Sequence, residues 1–343
     1  MAVEGRLEQP QEQACDRTDV ASACSYRGPD GLGCPDAAEP SGLCVWHDPA
    51  MLKHGPDWQH RLEALARSGR SLAGFSLPGA HLDGIDLTLS GRPLGVDLRG
   101  ADLTRARLRG AHLYRADLKG ADLLKADLRG ANLNEADLED TDLLATILAG
   151  ARTEGTRWNL PIRQERQAYA ARARGDAPAA LQLFKEGEEI YRDLRVIADA
   201  HGHHRTAGDF FFREMRMRHH RLPPYGWEWL VSTFAFLLYG YGEKPFYIIA
   251  NALAYLAGVA ALYFLIGLSE NGHVVAFDAH ASWADNLVAY AKCLYFSIIT
   301  YTTVGYGDFV PLDAAKPIAA LEALSGNFMM AMFVVVFMRK LGR

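Results

Sequence analysis

Thr302-Thr303-Val304-Gly305-Tyr306-Gly307-Asp308 is the stretch on which the reading of this 343-residue chain turns. Its two glycines sit at alternate positions, where the backbone can take positive φ that a Cβ would oppose. The segment before it, from Asn286 to Thr300, is almost wholly apolar but too short to cross a bilayer. It reads as a helix that enters a membrane and stops. Irregular backbone at that depth is tolerated only where it is buried in protein or lines a water-filled path.

On either side of this segment stand two longer apolar runs. Residues 245 to 268 carry no charge and form a helix of roughly 36 Å at 1.5 Å per residue, enough for a core of about 30 Å with some tilt. Pro245 suits a first helical turn, where its missing N–H removes nothing. The second run, 316 to 340, passes into Arg339-Lys340-Leu341-Gly342-Arg343. Basic residues cluster before the first run (Arg213, Arg216, Arg218, Arg221) and after the second, whereas 269 to 285 has no Lys or Arg but holds Glu270, Asp278 and Asp285. The bias of Lys and Arg places both termini in the cytoplasm and the connecting loop outside a cell (plasma) membrane. The acidic loop is expected to raise the local cation concentration at an outer mouth.

Thr302 to Asp308 resembles the signature of two-span potassium channels, and the resemblance covers about residues 240 to 341. It implies a selectivity filter at Thr303, Val304, Gly305, Tyr306 and Gly307, in which rings of backbone carbonyls from four identical subunits replace the hydration shell of K⁺. Thr303 is then expected to add a hydroxyl at the inner end, and Tyr306 to brace the loop from behind. Thr302 and Asp308 flank the filter as support. Two departures from the family stand out: Tyr295-Phe296 occupies a position where many relatives have paired Trp, and Ile299 stands where some have a Glu that pairs with the filter Asp. Asp308 therefore lacks that carboxylate partner.

Within the second span, Glu322 is an ionisable group at membrane depth, a functional candidate by default. It is expected either to support the pore-helix end near Thr300 or Thr302, or to snorkel at the outer interface. Gly326 is either a hinge or a close-packing site. No helix has Arg at every third position, so no voltage sensor is expected, and with so few residues after the second span regulation is expected from the N-terminal side.

From Val96 onward the chain repeats every five residues: Leu98, Leu103, Leu108 and so on to Leu148, with Ala two positions before most of them. Neither helix nor strand keeps a period of five on one face, but a four-sided coil does, with Leu and Ala inward. The pattern resembles the pentapeptide-repeat family, which implies a right-handed quadrilateral β-helix. Leu87 and Leu98 are eleven apart, so Ser90-Gly91-Arg92-Pro93 is expected to bulge as a one-residue insertion. Some members of that family imitate DNA with an acidic surface. Here ten acidic and eight basic side chains in residues 96 to 150 speak against it, and no nucleic-acid partner is expected.

Residues 160 to 222 read as a helical connector, with Gly175-Asp176-Ala177-Pro178 ending one helix and capping the next. A tetratricopeptide-like pair follows, its apolar stripe either intradomain core or a peptide groove. Residues 226 to 242, with Trp227 and Trp229, read as an interfacial helix at the inner leaflet. Cys24, Cys34 and Cys44 are ten apart, and His47 adds a C-x-x-H. Reduced thiols favour metal over disulfides in the cytoplasm, so a closed structural Zn²⁺ site is expected. Unligated thiols are the alternative, and Cys15 is a possible substitute ligand.

The net charge of −5 is mild, and the mean hydropathy of −0.07 averages a polar N-terminal part with an apolar C-terminal one. No apolar leader core follows a basic start, and no nucleophile–base constellation suggests an enzyme. The resulting fold class is multidomain: a zinc-binding-like segment (1–60), a pentapeptide-repeat β-helix (70–158), a helical connector (160–222), an interfacial helix (226–242) and a tetrameric two-span α-helical potassium-channel pore (243–343). The pore comprises spans 245–268 and 316–340, pore helix 286–301 and filter 303–307. An interaction protein that merely uses the spans as an anchor is the rival reading, and zinc-controlled gating a third.

Overall fold

The computed structural model describes residues 23–89 and 95–341. Cys15 and the expected bulge at Ser90 to Pro93 lie outside the described residues. The chain divides into two compact units, 1–160 and 161–343.

The first unit opens with a short loop-rich module. Antiparallel bridges join Ala23 to Ala37 and Arg27 to Gly33, and a turn follows in which the His47 and Asp48 amides donate to the Cys44 carbonyl. Helix α1 (Pro56–Ser68) begins on Pro56 and ends on Gly69 in the left-handed conformation, a common helix stop. It buries Leu62 and Ala66.

The repeat follows. Parallel bridges link Asp97 to Asp117, Asp102 to Asp122 and so on to Asp137 and Arg157, a constant offset of twenty residues, or four five-residue units per coil. The repeating Leu and Ala side chains are buried, as are Leu77, Leu82 and Leu87 of the earlier units. The acidic or amide residue before many of these Leu also has a job: Asp102, Asp122, Asn132 and Asp142 accept the N–H two residues on, a local turn that Asp and Asn favour. Residues at the turn position of the units, among them Gly100, Arg105, Lys125 and Gly150, take positive φ.

Between the earlier units and the main run the register differs from the expectation. Ser76 pairs with Asp102 and His81 with Arg107, an offset of 26 rather than 20. The offset thus carries six extra residues rather than one, a difference that the spacing of the leucines does not reveal.

The second unit starts with three helices, α2 (Arg163–Ala173), α3 (Ala177–Ala200) and α4 (His204–His219). Asp176 caps α3, its carboxylate accepting the Ala179 amide at 3.1 Å. Their core holds paired charges: Tyr191 donates to Glu165 at 2.5 Å, Arg213 bonds Glu165 at 2.9 Å, and Arg195 bonds Glu214 at 2.8 Å. Buried carboxylates need such partners. Phe184, Tyr191, Leu194 and Phe210 are buried, so much of the apolar stripe is internal core.

Helix α5 (Trp227–Tyr239) buries no residue, although it is almost wholly apolar. After a 3₁₀ turn, α6 (Pro245–Ile266) and α8 (Lys316–Leu341) are long and apolar enough to cross a membrane. Between them lies α7 (Trp283–Tyr301), starting three residues earlier than expected because Ser282 accepts the Asp285 amide as its cap. A small antiparallel sheet, unforeseen in the sequence, joins β1 (Leu268–Glu270), β2 (His273–Val275) and β3 (Phe309–Pro311) in the order β2-β1-β3.

Candidate functional site

Helix α7 ends where β-branched and glycine residues begin. Its last turn is closed by the Val304 amide donating to the Ile299 carbonyl at 2.9 Å, and the Thr302 hydroxyl donates to the Ile298 carbonyl at 2.7 Å. Beyond it, Thr303, Gly305 and Gly307 have φ of 57°, 53° and 80°, so alternate residues lie in the left-handed region. Glycine was expected there; Thr303 carries the same conformation without that freedom. Its hydroxyl donates to the Thr302 carbonyl at 2.7 Å. Val304 is 52% and Tyr306 72% exposed. Within one chain Tyr306 is therefore not packed behind the loop, and any brace must come from another copy.

Tyr295, at a departure from the family pattern, lies near enough to Asp308 for the two side chains to interact electrostatically. On the loop side, Glu270 pairs with Lys292 at 2.6 Å and Asp285 accepts the Ser282 hydroxyl at 2.7 Å. Asp278 accepts the His280 amide at 2.8 Å, so all three loop acids expected to attract cations are engaged in local structure.

Glu322 of α8 is fully buried, which excludes the snorkelling alternative. It accepts hydrogen bonds from Tyr263 of α6 at 2.7 Å and from Ser297 of α7. The contact on α7 is Ser297 rather than Thr300 or Thr302, about one turn earlier. Three helices meet at one carboxylate. Next to it, a Cβ on Gly326 would collide with the carbonyl oxygen of Tyr301, and α8 runs unbroken through this residue. The geometry at Gly326 is that of close helix packing.

In the first unit, Cys24, Cys34, Cys44 and His47 place one ligand atom each within 4.8 Å of the others. Cys44 Sγ lies 3.1 Å and Cys24 Sγ 3.7 Å from His47 Nδ1, and Cys34 Sγ lies 3.7 Å from Cys44 Sγ. Sulfurs bound tetrahedrally at about 2.3 Å to one zinc are about 3.8 Å apart, so the group fits the ion. Burial pushes the Cys44 thiol up to about 12 and holds the His47 imidazole below its usual value. The histidine is thereby neutral, as a ligand must be.

Residues 251–343 match the family described as "Ion channel", and residues 95–130 and 121–156 match "Pentapeptide repeats", in eight copies. The chain thus carries an ion-channel domain of the two-span type, with two membrane-length helices, preceded by a pentapeptide-repeat domain. Among curated proteins it is similar to Protein LctB of Bacillus caldotenax, 37% identical over 83 residues, covering 24% of this chain and 60% of that protein. Protein LctB of Geobacillus stearothermophilus is 39% identical over 80 residues, covering 23% and 58%. The chain spans about 60% of the length of these relatives. Among solved structures, the pentapeptide repeat protein Rfr23 from the cyanobacterium Cyanothece 51142 is 30% identical, covering 26% of this chain and 56% of that one, with a TM-score of 0.23. A pentapeptide repeat protein from the Arabidopsis thaliana thylakoid lumen is 27% identical, covering 35% and 83%, with a TM-score of 0.20.

Proposed function

We propose that this protein is a potassium-selective channel, a tetramer whose subunits each contribute Thr303, Val304, Gly305, Tyr306 and Gly307 to one filter. The observation that carries this reading is the alternation of left-handed backbone at Thr303, Gly305 and Gly307, directly after a helix that stops between two membrane-length helices. Alternate inversion of the backbone turns successive carbonyls toward one side, and a ring of such carbonyls replaces the hydration shell of K⁺. The exposed Val304 and Tyr306 agree with a loop that finds its packing partners on three further copies. Thr302, Asp308 and Glu322 support the filter in this scheme, and Gly326 is a packing residue rather than a hinge.

The remaining chain follows the same scheme: a zinc-binding module (1–60), a right-handed quadrilateral β-helix (70–158), a helical connector (160–222), an interfacial helix (226–242) and the pore (243–343). The basic residues before α6 and after α8 put those flanks on the cytoplasmic side of the plasma membrane, so the repeat is a cytoplasmic assembly or regulatory domain. Cys24, Cys34, Cys44 and His47 bind one structural Zn²⁺, closed to substrate by having four protein ligands. Purified protein in a planar bilayer between K⁺ and Na⁺ solutions tests the function: the current is expected to reverse near the potassium equilibrium potential. Reversal midway between the two ions' equilibrium values overturns potassium selectivity.

A further inference from the structure

His47 faces two ways. Its Nδ1 points at the Cys24 and Cys44 sulfurs, while Nε2 lies 3.2 Å from the carbonyl oxygen of Ala73. A carbonyl only accepts, so Nε2 carries the proton and Nδ1 keeps the free lone pair for a metal. Ala73 belongs to the first turn of the repeat, where Leu72 and Gly74 donate to the Asp97 and Arg99 carbonyls. The histidine therefore joins the metal cluster to the end of the repeat.

Other links converge on the same few residues. The Tyr26 ring stacks on His47 at 3.8 Å and lies so close over Gly74 that a Cβ there would strike it. Arg70 makes a two-pronged contact with Asp36 at 2.8 and 2.5 Å, and its Nη2 lies 3.7 Å from Cys34 Sγ. Trp46 stacks on Phe75 at 5.1 Å, and its carbonyl accepts the Ser76 amide at 2.8 Å. The ligand-bearing segments, 24–34 and 44–47, thus each touch residues 70–76, and among the described residues of the module they are otherwise joined by two isolated antiparallel bridges and a few backbone hydrogen bonds, such as Ser25 N–H to the Gly42 carbonyl.

We propose that the bound metal is a clamp: by drawing Cys24, Cys34, Cys44 and His47 onto one zinc ion, it fixes the N-terminal module as the lid of the repeat's first coil. This rests on the zinc reading above. An uncovered end coil exposes Phe75 and unpaired backbone groups, the liability of any open β edge. Metal loss is then felt at residues 70–77, beyond the ligands themselves, through His47 Nε2 and the Trp46 carbonyl.

Amide exchange on the full chain in detergent, followed by mass spectrometry before and after chelation and after reloading with Zn²⁺, tests this. The expected result is about one zinc per chain, with exchange at 70–77 rising about tenfold or more on chelation. It should return on reloading, while 101–150 stays protected throughout. Stoichiometric zinc whose removal leaves 70–77 unchanged, or unprotects 101–150 equally, overturns the clamp and leaves the metal site standing. Absence of zinc from protein purified without chelator overturns the metal reading itself. His47→Cys separates the ring's two roles: it is expected to retain zinc on four thiolates yet exchange at 70–77 faster than wild type. A zinc-loaded variant with wild-type protection would remove His47 Nε2 from the clamp.

Discussion

Tyr263 of the first spanning helix donates its phenolic proton to Glu322 of the second, at 2.7 Å, and Ser297 of the helix between them completes the carboxylate's shell. A buried carboxyl at membrane depth is tolerated when its lone pairs are met. The cluster ties α7 to both long helices, and α7 leads into the loop proposed as the filter.

Glu322→Leu strands the Tyr263 hydroxyl, leaving Ser297 only its longer contact to the Leu256 carbonyl, and is expected to cost about 1–3 kcal/mol per chain, seen as early loss of the assembly on heating in detergent. Glu322→Gln keeps the shape and a carbonyl acceptor, and should melt much closer to wild type. Equal melting of both variants would separate Glu322 from stability.

Gly326→Ala separates the two roles its position allowed. A hinge tolerates a methyl group and answers with altered gating; a packing site does not, because the new Cβ meets the rigid carbonyl of Tyr301. The expected outcome is failure to assemble, measured by size-exclusion chromatography. Normal assembly with altered opening would restore the hinge.

Much of this architecture is legible in the residues. A period of five and two long apolar runs are long-range regularities, and the Asp176-Ala177-Pro178 signal places a helix start because capping is local chemistry. What sequence spacing cannot carry is the partner of a buried group. Glu322 was readable as functional, but Ser297 and Tyr263 lie 25 and 59 residues away, and only the crossing of three helices selects them. The proximity of Tyr295 to Asp308 was missed for the same reason, and the tyrosine's departure from the family pattern was the signal available. The insertion after Leu87 was misjudged because eleven residues fit two units plus one as well as one unit plus six, and strand pairing alone decides between them.

Within the repeat, Leu123 is fully buried and Lys125 is exposed at a left-handed corner. Leu123→Asp buries a carboxylate without a partner and should unfold the domain. Lys125→Glu should stay within about 0.5 kcal/mol, while Lys125→Gly is expected to be neutral or stabilising, since positive φ suits glycine. Circular dichroism melts of the three variants check the register; equal effects of the Asp and Glu changes would contradict it.

In the proposed filter, Gly305 and Gly307 have open space where a Cβ would stand, so a substitution there meets no clash within its own chain. The cost is conformational, about 1–2 kcal/mol for a side chain at positive φ, and it is relieved by turning the carbonyl away from the ion path. Gly305→Ala or Gly307→Ala should therefore leave assembly intact but abolish potassium preference or all current. A variant that assembles and still discriminates K⁺ from Na⁺ would defeat the filter assignment.

His220 gives the connector a dependence on pH. Its Nδ1 accepts from Arg172 at 2.8 Å, which leaves Nε2–H to donate to Tyr169 Oη at 3.0 Å, and Arg216 also donates to that hydroxyl at 3.0 Å. Burial is the main cause that lowers its pKa from 6.5 to about 4, and the positive charges of Arg172 and Arg216, with His219, add to it. The folded state thus binds the proton more weakly than the unfolded one. Its stabilising contribution is complete above pH 6.5 and is lost as pH falls from there toward about 4, because the unfolded chain takes up the proton first. Protonation would also give Nδ1 a hydrogen facing the Arg172 guanidinium, turning an acceptor into a second donor. His220→Gln keeps a side-chain acceptor for Arg172 and does not titrate. Melting curves of the two proteins in detergent, recorded at intervals from pH 7.5 to 4, should diverge: the wild type is expected to lose melting temperature more steeply below pH 6.5. Parallel profiles would show that the imidazole is not the group that carries the acid sensitivity of these helices.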